Sequence, residues 1–88
     1  MSWNFRIIRK TTRVGRNIFH TYDLHEVYYN KRGRPTHWTL TPVTPNGYES
    51  IREMQQTLCR MLADTLELPA LEIRKGKLIK RISQEEEK

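Results

Sequence analysis

The chain has 88 residues, with 16 Lys and Arg against 10 Asp and Glu, a net charge of +6, and 36% hydrophobic residues. So short a chain builds one modest core, which excludes a multidomain architecture. No apolar run reaches the roughly 18 residues needed to cross a bilayer, and the lone Cys59 excludes an internal disulfide.

In chain order, Trp3 to Arg9 alternates as a first strand. Thr11 to Asn17 holds Gly15 and two arginines and reads as a basic turn or hairpin loop. Ile18 to Tyr29 is rich in β-branched and aromatic residues and reads as a second strand. Asn30-Lys31-Arg32-Gly33 forms a turn closed by Gly33, and Thr36 to Thr41 a third strand. Pro42 to Gly47 sustains neither strand nor helix and is the crossover loop.

Ser50-Ile51-Arg52-Glu53 has the form of a capping box, and Ile51, Met54, Leu58, Met61, Leu62 and Thr65 fall on one helical stripe. Pro69 stops that helix, which is expected over 50–66. After it, Leu71 and Ile73 alternate, Lys75-Gly76 offers a turn, and Leu78 and Ile79 follow. A small terminal hairpin or edge strand is expected there, with a short helix as the alternative. Ser83 to Lys88 is a charged tail with nothing to bury and reads as disordered. The expected fold class is α+β: a three- to four-stranded antiparallel sheet with one amphipathic helix packed on one face, in the order β-β-β-α plus a short extension, forming a single domain over 1–82. So small a core would gain from dimerisation.

The positive charge is concentrated. Residues 1–34 hold Arg6, Arg9, Lys10, Arg13, Arg16, Lys31, Arg32 and Arg34 against Asp23 and Glu26, a balance of +6. Such a concentration favours an anionic partner. Arg13, Arg16, Lys31, Arg32 and Arg34 are expected in two loops at the same end of the sheet, where they would grip phosphates, with an exposed Tyr29 (or Tyr22) stacking on unpaired bases. Ordinary solubilising charge on loops and edges is the competing reading. No recognised nucleic-acid motif accompanies the basic residues.

With Asn30 opposite Arg34, the hairpin pairs Tyr28 with Thr36, Glu26 with Trp38 and Leu24 with Leu40. Tyr22, Leu24, Tyr28, Trp38 and Leu40 then share the face toward the helix. Asp23, His25, Val27, Tyr29, His37, Thr39 and Thr41 share the other, a polar and partly solvated face. A slip of one residue exchanges the two sets. His25 and His37 lie on one face in this register, but the chain lacks paired cysteines or His-Glu-x-x-His spacing, so no metal site is expected. Cys59 reads as a small core filler rather than a nucleophile. No catalytic residues, no cofactor and no small-molecule substrate are expected. The protein reads as a non-enzymatic cytoplasmic module contacting nucleic acid or a nucleic-acid-containing complex. The alternative is a protein-interaction or inhibitor module that meets an acidic protein surface or associates with itself through an open sheet.

Trp3-Asn4-Phe5-Arg6-Ile7, His25-Glu26-Val27-Tyr28-Tyr29, Gly33, Trp38-Thr39 and Pro42-Val43 together resemble a family of short, uncharacterised bacterial proteins. Their pattern is W-N-[YF]-R-V, H-E-V-Y-Y-x-x-x-G, W-T-x-x-P-V and a helix ending in A-L-x-x-P-x-L. Leu66-Glu67-Leu68-Pro69-Ala70-Leu71 follows that ending, with Thr65 in place of Ala, and the resemblance covers roughly residues 3–71. It implies the α+β fold and a bacterial or phage-related origin, with no activity attached. The hairpin turn that is typically acidic in such proteins is Lys31-Arg32-Gly33-Arg34 here, so a partner does not carry over.

Overall fold

A computed structural model describes residues 2–74 and 77–82. The elements are β1 (Trp3–Val14), β2 (Asn17–Tyr29), β3 (Pro35–Trp38), α1 (Ile51–Glu67), β4 (Ala70–Arg74) and β5 (Lys77–Ile82). The expected Lys75-Gly76 turn and the 83–88 tail lie outside the described residues.

The five described strands form one sheet in the order β3-β2-β1-β4-β5. The α+β class with one helix is as expected, but the sheet is mixed rather than antiparallel. β1, β2 and β3 form a meander; β4 then lies parallel to β1, pairing Ile8 with Leu71 and Arg9 with Glu72. The route is a crossover through α1, the usual way for a chain to place parallel strands in one sheet. β5 closes the sheet as an antiparallel hairpin with β4, so the terminal hairpin rather than a short helix forms.

The β2–β3 register is one residue off the expected one. Tyr29 still pairs with Pro35 as expected, but a bulge between Tyr28 and Tyr29 leaves Thr36 as an extra residue on β3, so Tyr28 faces His37 and Val27 faces Trp38. Trp38 therefore joins Val27 and Tyr29, while His37 passes to the opposite face from His25. The face expected to be polar and partly solvated is the core. Ile8, Val27, Tyr29 and Leu71 are buried together there, with Trp38 and Ile73 packed against them. Residues from the β3 edge across to β4 thus reach one cluster, so the sheet curls around that face.

The other face carries Trp3, Phe5, Ile7, Leu24 and Tyr28, and α1 packs beside it. Ser50 caps the helix by accepting from the Glu53 N–H, and Leu68 ends it just before Pro69. β1 holds the helix through side chains near its C-terminal half. The Asp64 carboxylate accepts from the Phe5 N–H at 3.0 Å, and the Arg60 guanidinium stacks 3.9 Å over the Trp3 ring. Met61 is its one buried residue, and Cys59, read as a core filler, is exposed. No described helix is long and apolar enough to cross a membrane.

Candidate nucleic-acid interface

β1 and β2 pair without interruption from Trp3–Tyr28 to Val14–Asn17. β4 engages β1 at Ile8 and Arg9, and β3 engages β2 from Val27 to Tyr29. Among the described residues, no third strand pairs with the two from Lys10 to Thr21. The segment read as a basic loop, Thr11 to Asn17, is instead the end of a two-stranded ribbon with a tight turn at Gly15-Arg16. Gly15 sits at φ +62°, the left-handed region that L side chains rarely adopt. The flanking Thr11, Thr12, Val14, Ile18 and Thr21 are β-branched and favour extended backbone. Beyond Lys10 the ribbon extends about 15 Å, counting some 3.3 Å per residue.

This arm is exposed from Thr12 to Tyr22. Lys10, Arg13 and Arg16 lie on it, and the sequence from Lys10 to Tyr22 contains no acidic residue. Arg13 pairs across the ribbon with Ile18 and Thr11 with His20 on one face; Thr12 pairs with Phe19 and Lys10 with Thr21 on the other. Val14, Ile18 and Phe19 are more than half exposed, an unusual amount of apolar surface for a ribbon in water.

The root of the arm is clamped by one carboxylate. Glu72 Oε1 accepts from Arg9 Nε at 3.1 Å, Arg9 Nη2 at 2.8 Å and Thr11 Oγ1 at 3.0 Å. Its other oxygen lies 3.5 Å from Arg74. Burial alone would raise the Glu72 pKa. The hydrogen bonds from Arg9 and Thr11, with the charges of Arg9 and Arg74, outweigh it and hold the group below its ordinary value. Burial likewise opposes the Arg9 charge, and Glu72 and Tyr22 outweigh it. A ribbon of two strands is marginal alone; the clamp ties this one to β4.

The basic residues divide between two ends of the molecule. Successive turns of a meander lie at opposite ends of the strand they share, so Arg13 and Arg16 do not join Lys31, Arg32 and Arg34. Twelve steps of β2 separate the two turns, about 40 Å at some 3.3 Å per residue, within the molecule's longest extent of 47 Å. In the second turn the Asn30 side chain accepts from the Arg32 and Arg34 N–H groups, and all three basic side chains are exposed. Tyr29 is no stacking platform. It is 9% exposed, with its hydroxyl donating to Asn4 Oδ1 at 2.7 Å and accepting from Arg6. Phe19 is the exposed aromatic nearest the arm's tip, and the alternation of β-branched residues around Gly15 was the signal for it.

His25 faces Arg6 across the ribbon, and both are buried. Arg6 donates to Tyr29 Oη and to the Pro69 carbonyl, while His25 Nδ1 lies 2.9 Å from the Thr39 carbonyl. Among the described residues, Arg6 Nε and His25 Nε2 have no partner. Burial lowers the His25 pKa, the Thr39 hydrogen bond opposes that, and Lys10 lowers it further. The unfolded chain therefore binds more protons, and the His25 contribution to stability is present above 6.5 and lost as pH falls toward the folded value. Glu72 acts in the same direction lower down, below 4.5. The urea midpoint is accordingly expected to fall between about pH 7.5 and pH 5, and a His25→Gln variant to flatten that slope. A midpoint unchanged or higher at the acid end would contradict the burial of neutral His25.

No cluster of three metal-ligating side chains occurs among the described residues. Comparisons with protein families, with curated proteins and with solved structures give no match.

Proposed function

We propose that this protein is a non-enzymatic cytoplasmic module that binds nucleic acid with its β1–β2 arm. The observation that carries the reading is a solvent-exposed two-stranded ribbon bearing Arg13 and Arg16, with Lys10 half-buried at its root 3.5 Å from Asp23 and no acidic residue between Lys10 and Tyr22. A two-stranded ribbon fits the major groove of duplex DNA. Arg13 and Arg16 contact phosphates or base edges, and Phe19 supplies an apolar contact to a base. Lys31, Arg32 and Arg34 form a second, separate positive patch that engages a longer strand at its far end.

Fluorescence anisotropy with labelled duplex and single-stranded DNA and RNA, at about 50 and 200 mM salt, tests this reading. Each phosphate contact contributes about −0.9 to the log–log salt slope on duplex DNA and about −0.7 on single strands. Arg13 and Arg16, which no described acidic group pairs, therefore predict a duplex slope near −1.8 or steeper, with duplex bound at least as well as single strands. Absence of binding at the lower salt would sink the proposal. A protein-interaction role is favoured by a different observation, the exposed apolar side of α1.

A further inference from the structure

His20 sits on the arm, exposed, and pairs across the ribbon with Thr11 on the face that also carries Arg13. Its Nδ1 lies 3.0 Å from Thr11 Oγ1, and Thr11 Oγ1 in turn donates to Glu72 Oε1 at 3.0 Å. These two contacts fix a tautomer. Glu72 is held below its ordinary pKa and is ionised, and an ionised carboxylate only accepts. The single hydroxyl hydrogen of Thr11 is therefore spent on Glu72, and its oxygen accepts from His20. Neutral His20 carries its proton on Nδ1, which leaves Nε2 as a bare lone pair on an exposed side chain.

We propose that protonation of His20 at Nε2 makes it a third phosphate contact of the arm, so that the arm's hold on duplex DNA strengthens as pH falls from about 8 to about 5.5. This role rests on the nucleic-acid reading of the arm, which it makes pH-dependent. Protonation needs no rearrangement. The Nδ1–H stays bonded to Thr11, the ring keeps its place, and a new N–H appears at Nε2 together with a positive charge.

Among the described residues no free carboxylate awaits that charge. Arg9, Arg13 and Tyr22 flank His20 on the two strands, and Glu72 and Arg74 face it from β4 through Thr11. Glu72 already holds Arg9 at 2.8 Å and has Arg74 at 3.5 Å. α1 reaches Tyr22, one pair nearer the root, with Leu62 and Thr65, neither of which titrates. An external phosphate supplies the missing partner. A sheet layer is about 10 Å thick and the major groove about 12 Å wide, so a ribbon in the groove meets the phosphate-bearing walls with both faces. His20 and Arg13 are diagonal neighbours across the ribbon, about 7–8 Å apart at the backbone. A wall that meets Arg13 therefore meets His20.

The test is anisotropy of the full chain with a duplex of about 12 base pairs at pH 8 and pH 5.5, each at about 50 and 200 mM salt. The fluorescence of Trp3 and Trp38 confirms the fold at both pH values. One added phosphate contact steepens the log–log salt slope by about 0.9. The slope is expected to be steeper by that amount at pH 5.5, so the loss of affinity between the two salts is about three- to fourfold larger than at pH 8. His20→Gln should remove the difference, and His37→Gln, on β3, should leave it. Calorimetry near pH 7 in two buffers of unlike ionisation enthalpy should show proton uptake on binding, which His20→Gln abolishes. Without DNA, the nitrogen-15 spectrum of neutral His20 should show the proton on Nδ1. Binding with one slope at both pH values, a pH dependence that survives His20→Gln, or a neutral ring protonated at Nε2 overturns this role and leaves the arm as the binding site. No binding at either pH overturns the arm reading and this role together.

Discussion

Glu72→Ala is expected to cost about 3–5 kcal/mol of folding stability, the loss typical of leaving a buried charge without its partner. Glu72 is 1% exposed and Arg9 8%, and Glu72 Oε1 receives two hydrogen bonds from Arg9 and one from Thr11. At 0.05–0.15 kcal/mol per residue, a chain of this length has about 4–13 kcal/mol in total, so the variant lies near unfolding. Glu72→Gln keeps the shape and one acceptor oxygen and should cost less than Ala, separating the charge from the packing. Combining Glu72→Ala with Arg9→Met should recover much of the loss, because the orphaned cation goes with its partner. Urea midpoints followed by the fluorescence of Trp3 and Trp38 measure all three. An Ala variant within about 1 kcal/mol of the parent, the range of an ordinary surface change, would show that the clamp does not hold the arm's root.

The second large effect is on binding. Arg13→Gln with Arg16→Gln removes two arm cations that no described acidic group pairs. It should lower duplex affinity and make the salt slope shallower by about 1.8. Between 50 and 200 mM salt, a slope of that size corresponds to about a twelvefold change in affinity, so the difference is well above measurement scatter. Stability should change little, since both side chains are exposed. Replacing Lys31, Arg32 and Arg34 together should leave binding to a duplex of about 12 base pairs, some 40 Å at 3.4 Å per pair, nearly intact. A triple variant that loses more affinity than the arm variant would move the contact to the other end of the molecule.

What the sequence made legible was local. Ser50 and Pro69 delimit α1 to within one residue, because a cap and a helix breaker act over one turn. The β1–β4 pairing was not legible. It joins Ile8 to Leu71 through two residue pairs, and nothing in either segment distinguishes a parallel neighbour from an antiparallel one. The face toward α1 was legible, since Tyr22 and Leu24 line a groove with Met61 and Leu62; burial of the opposite face was not, because alternation alone does not say that Val27 and Tyr29 curl inward around Ile8 and Leu71. The bulge at Tyr28/Tyr29 then moved Trp38 and His37 by one position, enough to exchange their faces. The arm was hidden by composition. Gly15 and its basic neighbours suggest a loop, whereas the β-branched residues flanking them carry the strands to the turn. The separation of the two basic clusters was available from topology alone, since consecutive meander turns cannot share an end.

The arm assignment is tested most directly by titrating the isotope-labelled protein with a short DNA duplex and following each backbone amide by NMR. The account predicts shifts concentrated between Lys10 and Tyr22, with β4 and the Asn30–Arg34 turn little changed. Shifts confined to that turn or to α1, or none at a concentration where anisotropy shows binding, would contradict it.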